Sequence, residues 1–181
     1  MDKITALQTL KRYLNNYNIQ HSIDFDNGTV RCSVLYKNCK CTLDNVLEST
    51  IWFFDKELEV RVHFTEKVVY LCRKSRHITD LLWLLNYINA RVWLNSGDGS
   101  LYEPRIIYTP RFYLTADEQS EVVMTTIIPY EQSDLATVET NDYITGFCPE
   151  LLDKLSCSII GILLGTVDLD SAKKDIEKNI L

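Results

Sequence analysis

The chain has 181 residues, 46% hydrophobic and 24% charged, which is the balance of one soluble globular domain and excludes collagen-like, disordered and low-complexity classes. Its 19 basic and 25 acidic side chains give a formal charge of -6. That argues against a generic nucleic-acid binder, which needs a basic footprint.

The start of the chain has no signal-peptide apolar core; its charges fall on a helical pattern instead. Asp2 is placed to cap this first helix. Ile4, Leu7, Leu10, Leu14 and Tyr17 recur at three- and four-residue steps, and Asn15, Asn16 and Asn18 mark the end. Ser22 to Phe25 then alternates as a strand, and Asp26-Asn27-Gly28 is a tight-turn signal because Asn and Gly tolerate positive φ. Val30, Cys32, Val34 and Tyr36 share one face of a second strand, and Lys37 to Lys40 reads as a turn. Thr50 to Phe54 is β-branched and aromatic. Asp55-Lys56-Glu57 turns it back into Leu58, Val60, Val62 and Phe64, interleaved with Glu59, Arg61 and His63. Val68 to Cys72 reads as a further short strand, or as the end of a bent one.

A second helix begins near Thr79. Ile78, Leu81, Leu82, Leu85, Ile88, Val92 and Trp93 form one apolar face, and Leu84, Tyr87 and Leu94 add another. A helix apolar on two sides is expected to be sandwiched between layers or subunits. Asn95 to Gly99 ends it. Strands return from Leu101, with Arg105–Tyr108 and Arg111–Leu114 flanking Pro110, and with Val122 to Ile128 after a polar turn. Glu131 to Asn141 is polar and loop-like. The closing helix starts near Pro149 and carries Leu152, Leu155, Ile159, Ile162 and Leu163 as its stripe. Cys157, Gly161 and Gly165 form a small-residue ridge expected to pack closely on the sheet or on another helix. Asp168 or Asp170 is placed to cap a short extra helix within residues 168–181.

No chemistry-bearing motif stands out. Cys39-x-Cys41 has one intervening residue and no second pair at zinc spacing, and His21, His63 and His77 are scattered. Asp168-x-Asp170 lacks the Gly and closing Glu of a calcium loop. Neither glycine-rich phosphate motif nor nucleophile elbow occurs. No cofactor and no metal are expected. The six cysteines (Cys32, Cys39, Cys41, Cys72, Cys148 and Cys157) read as reduced thiols of a cytoplasmic protein. Cys148, beside Pro149 at a helix start, is the candidate reactive thiol; a buried small residue is the alternative. Trp52, Phe53 and Phe54 form an aromatic run that serves either as a binding platform or as core. The apolar run from Ser158 to Val167 is too short to span a bilayer.

Leu81-Leu-Trp-Leu-Leu-Asn-Tyr-Ile-Asn-Ala-Arg91, with Asn86 and Asn89 three apart, resembles the central helix of the YbjN family of bacterial sensory-transduction regulators. The order of leading helix, strands, Asn-bearing helix, strands and closing helix is also similar. The resemblance implies a fold like that of type III secretion chaperones, and a non-enzymatic, often dimeric binding or regulatory module. It brings no catalytic residues with it. Asn86 and Asn89 are expected to hydrogen-bond an adjacent loop or strand end.

The expected architecture is a single α+β domain over residues 1–181, a twisted antiparallel sheet with helices packed on one side. The expected function is non-enzymatic protein binding, chaperone-like or regulatory, with a protein partner or a homodimer, no nucleic acid and no membrane span. An enzyme with a dispersed, thiol-based site is the alternative. The contact residues singled out are Trp52, Asn86, Asn89, Gly161 and Gly165. Charge is also uneven. Residues 1–76 carry +3 and residues 77–181 carry -9, which leaves room for a basic protein partner.

Overall fold

A computed structural model describes residues 1–35, 37, 46–91, 108–117 and 120–179. In chain order its elements are α1 (Lys3–Asn16), β1 (His21–Asp24), β2 (Thr29–Leu35), β3 (Val46–Phe53), β4 (Glu57–Phe64), α2 (Glu66–Lys74) and α3 (Ile78–Arg91). Then come β5 (Arg111–Leu114), β6 (Val122–Pro129), α4 (Tyr130–Leu135) and α5 (Thr137–Asp142). A π-helical turn (Tyr143–Phe147) leads into α6 (Cys148–Leu164), and α7 (Leu169–Asn179) follows. The fold is α+β, with one antiparallel sheet in the order β1-β2-β3-β4-β6-β5 and the helices on one side of it. No helix among the described residues is long and apolar enough to cross a membrane.

Local chemistry explains most element ends. Asp2 accepts the Thr5 amide at 2.8 Å and caps α1. Asp24 accepts the amides of Asp26 and Asn27 in the first hairpin, and Gly28 takes φ +63 there. Asp168 receives the Ser171 amide and hydroxyl, both at 2.9 Å, at the start of α7. These bonds hold the carboxyls of Asp2, Asp24 and Asp168 below their ordinary pKa.

The register builds the core face row by row. Ile23, Val30, Ile51, Val60 and Thr126 lie opposite one another, and so do Cys32, Ser49, Val62, Met124 and Phe112. Above them, α6 is buried on nearly every side, from Leu151 to Leu163. It packs against β3 and β4 below and against α2, α3 and α7 around it. The sandwiched helix is therefore α6. On α3, Leu81, Leu84, Leu85 and Ile88 are buried, but Leu82 is 48% exposed and Trp83 60% exposed. The predicted two-sided face of α3 is thus split, because Leu84 joins the buried set and Leu82 leaves it. Val92, Trp93, Leu94 and the break from Asn95 to Gly99 lie outside the described residues, as do Tyr36, the turn from Asn38 to Lys40, and the strand predicted for Arg105 to Ile107.

Two elements differ from expectation. Val68 to Cys72 is the body of α2, not a strand. A continuous apolar run carries no period that separates helix from strand, and here tertiary packing decides. Val68 and Cys72 are buried one turn apart, while Glu66 at the N-terminal end and Arg73 and Lys74 at the C-terminal end complement the helix dipole. The polar stretch 131–141 is not a loop but lies in α4 and α5, broken at Ala136. Helices of one or two turns hold only through packing, supplied here by Tyr130, Ser133, Thr140 and Asn141.

Candidate functional site

The sheet face opposite the helices is covered by no described helix. Its side chains follow from the same register, shifted by one residue. One row runs Ser22, Arg31, Thr50, Arg61, Thr125, Arg111 across all six strands. The next runs Asp24, Thr29, Trp52, Glu59, Ile127. On the other flank are Ser33, Glu48, His63, Val123 and Tyr113.

Trp52 sits near the middle of this face, whereas Phe53 points into the core and is 2% exposed. The aromatic run therefore divides by strand alternation. The Arg61 guanidinium lies 4.9 Å from the Trp52 ring centroid, within cation–π range. Arg61 Nε donates to Glu59 Oε1 at 2.7 Å, and the Thr125 hydroxyl lies 3.0 Å from that same carboxylate oxygen. The bond to Glu59 raises the Arg61 pKa above its ordinary value. Trp52, Arg61, Glu59 and Thr125 form a linked polar-aromatic patch, with Ile127 exposed beside it at 54%. One concavity opens beside the patch and a second lies where the sheet meets α2. The first, of about 600 Å³, is lined by Ser22, Asp24, Asn27, Thr29, Arg31 and Trp52. The other, of about 510 Å³, adjoins His63, Glu48, Glu121, Tyr70 and Arg73. His63 lies 3.9 Å from both Glu48 and Glu121.

The other expected contact residues lie elsewhere. Asn89 Nδ2 donates to the Phe112 carbonyl at 2.7 Å, and the Phe112 amide donates to Asn89 Oδ1 at 2.8 Å. One carboxamide thus occupies both backbone groups of a residue on the edge strand β5. Asn86 is exposed one turn earlier on α3. Gly161 and Gly165 serve the C-terminal end of α6. Gly165 takes φ +68, and the amides of Gly165 and Thr166 bond the carbonyls of Ile162 and Gly161, both at 2.9 Å. Ser75 Oγ donates to the Leu163 carbonyl at 2.7 Å, so the residue that ends α2 helps close the same helix end. The small-residue ridge therefore packs on its own chain, while Cys157 is exposed.

Cys148 has no activated setting. It is fully buried beside Tyr143, whose ring lies 4.9 Å from that of Tyr108 and 5.3 Å from that of Phe147. Burial raises the Cys148 pKa against a lowering contribution from the Tyr143 hydroxyl. Burial also pushes Cys32 up to about 11 and Cys72 up to about 12. Cys39 and Cys41 lie outside the described residues. In the folded protein at pH 8, Cys157 is expected to react with an aromatic disulfide reagent while Cys32, Cys72 and Cys148 react only after unfolding. A folded Cys148 that labels as fast as Cys157 would overturn this placement. The unfolded chain releases these protons near about 8.5 and the folded chain only at higher pH. The folded state then holds more protons in that window, so stability falls as pH rises from about 8.5 to 11.

No group of three or more His, Cys, Asp or Glu is arranged to hold a metal among the described residues. Arg31, Glu59, Arg61, Thr125 and Arg111 were not singled out from sequence. The alternation of Glu59, Arg61 and His63 signalled a polar face on one strand, but cross-strand register aligns the rest. Comparison with family models, curated proteins and solved structures gave no match.

Proposed function

We propose that this chain is a non-enzymatic, cytoplasmic protein-binding module, chaperone-like or regulatory as the YbjN resemblance implies, and that it engages its partner through the helix-free sheet face. The observation that carries the reading is the patch around Trp52. There an indole, a guanidinium and the exposed Ile127 share one surface that the described helices leave open. Aromatic and Arg side chains with an apolar neighbour are the residue types that dominate protein contacts.

A photoreactive side chain at Ile127 tests this in living cells, with Lys174 on α7 as the control position. The expected result is a covalent adduct with one defined protein from position 127 and none from 174, followed by binding of that protein in purified form. No protein adduct at 127, or equal adducts at both positions, would sink the reading. If the adduct is the chain itself, light scattering at high micromolar concentration should give a dimer mass, and the partner is then a second copy.

A further inference from the structure

We infer that the β1 edge of the sheet is a self-association surface. A second copy of this chain adds its own β1 antiparallel to the first, about a two-fold axis at Ser22, and joins the two sheets into one. The inference goes beyond the protein-binding reading above and does not depend on it.

The two edges of the sheet differ in their open backbone groups. In an antiparallel ladder each residue turns both its amide and its carbonyl to one neighbouring strand, and the next residue turns both to the other. The Phe54 amide bonds the Glu57 carbonyl at 2.9 Å and the Phe53 amide bonds the Gly28 carbonyl at 2.8 Å, which fixes the alternation. Carried through the register, it turns Thr29 and Arg31 to Asp24 and Ser22, and leaves His21 and Ile23 of β1 facing outward. At the far edge the same alternation leaves Phe112 of β5 facing outward. There Asn89 takes both Phe112 groups, and Pro110 has no N–H to offer. Among the described residues, none bonds the outward amides and carbonyls of His21 and Ile23. Unpaired edge groups of this kind are a template for another strand.

The positions of these groups specify a second copy. Open residues on either side of Ser22 are what a strand needs to pair with itself. With Ser22 on the axis, His21 of each copy exchanges both bonds with Ile23 of the other, and every open group is used. Ser22 then meets Ser22 at a non-hydrogen-bonded position, where Cα atoms approach to about 4.5 Å and a short side chain fits. Centring on Ile23 instead would set His21 against the hairpin turn at Phe25. The side chains agree with the Ser22 register. Asp24 falls opposite Gln20, whose amide donates to a carboxylate, so no like charges are opposed. Just beyond the strand ends, Phe25, 53% exposed, comes level with Ile19 and gives the seam an apolar cover. An axis normal to the sheet keeps the helices of both copies on one side. It also runs the helix-free faces together, so the two Trp52 patches share one continuous surface.

β1 has 4 residues, so the contact is at the small end of specific interfaces, and half-dimerisation is expected on the order of 100 µM. Light scattering of the full chain from about 10 µM to about 1 mM should show the mass rising from 21.0 kDa toward twice that value. Ser22→Lys sets two ammonium groups on the axis. Ile23→Pro removes an outward donor and leaves the bonds between β1 and β2 in place. Each should raise the dissociation constant at least about tenfold, with circular dichroism showing that the variant is folded. Disulfide trapping maps the register in a chain whose Cys39, Cys41 and Cys157 are replaced by serine. On air oxidation Ser22→Cys should link two copies. Asp24→Cys should not, because the two copies of residue 24 lie about 14 Å apart. A mass that stays at 21.0 kDa up to about 1 mM would overturn the inference. So would a dimer that survives both substitutions, or Asp24→Cys linking as fast as Ser22→Cys.

Discussion

Asn89→Ala is expected to lower the unfolding free energy by about 2–3 kcal/mol, whereas Asn86→Ala should change it by less than about 0.5 kcal/mol. The two residues are chemically identical and sit three apart on one helix, so propensity does not separate them. Asn89 gives both halves of its carboxamide to Phe112, at 2.7 and 2.8 Å. Phe112 itself is 2% exposed. Truncation leaves an amide and a carbonyl near the core without a partner, and each orphaned group costs about 1–3 kcal/mol. Denaturant unfolding measures the loss. Amide exchange locates it: the Phe112 amide should exchange far faster in Asn89→Ala, while the amides in the middle of β3 keep their protection. Equal effects of the two substitutions would remove the clamp from the account.

Gly161→Ala should destabilise the protein even though alanine is the better helix former. In an exposed helix interior the exchange gains about 1 kcal/mol. Here the new Cβ would lie 2.6 Å from Val167 Cγ2 and 3.0 Å from Val167 Cβ. Val167 has little freedom to retreat, because its own amide bonds the Gly161 carbonyl at 3.2 Å and Thr166 bonds the same oxygen. Overpacking of this kind costs about 1–3 kcal/mol, so after the propensity gain the net effect is a loss of up to about 2 kcal/mol. Val167→Ala in the same chain removes the opposing methyl groups. The double variant should therefore be more stable than the sum of the two single changes, by about 1 kcal/mol or more. Additivity within error would show that the helix end relaxes freely.

The legible parts of this fold are those set by local chemistry. The Asp2 cap, the Asp26–Gly28 turn and the alternation of β4 are each decided within a few residues, and the sequence reading placed them; the Gly165 stop is equally local, but Gly165 was read only as part of a small-residue ridge. The departures share one cause. For α2, the run Val68 to Cys72 has no period of its own, and the core beneath it chose the helix. For α4 and α5, six-residue helices have too little intrinsic stability to announce themselves. Trp52 was legible as a platform candidate because strand alternation sends it away from Phe53. Its neighbours Arg61, Glu59 and Thr125 were not, because Thr125 lies 66 residues beyond Glu59 and only pairing of β4 with β6 brings it within hydrogen-bonding distance. The small-residue ridge was expected to pack on the sheet or on another helix; Gly161 instead faces Val167 in the turn that follows, Gly165 faces His77, and Cys157 is exposed.

That late pairing has a consequence for synthesis. The ribosome delivers β1 to β4 as a complete antiparallel meander long before β6 exists, so the nascent chain carries an unpaired β4 edge until residue 129 has emerged. An open edge beside Leu58, Val60, Val62 and Phe64 invites pairing with a neighbouring nascent chain. Glu57, Glu59, Arg61 and His63 alternate along that same strand and place charge or a titratable ring at every second position. Charged side chains are a recognised guard on exposed edges, so these residues protect the growing chain through the interval before β6 arrives.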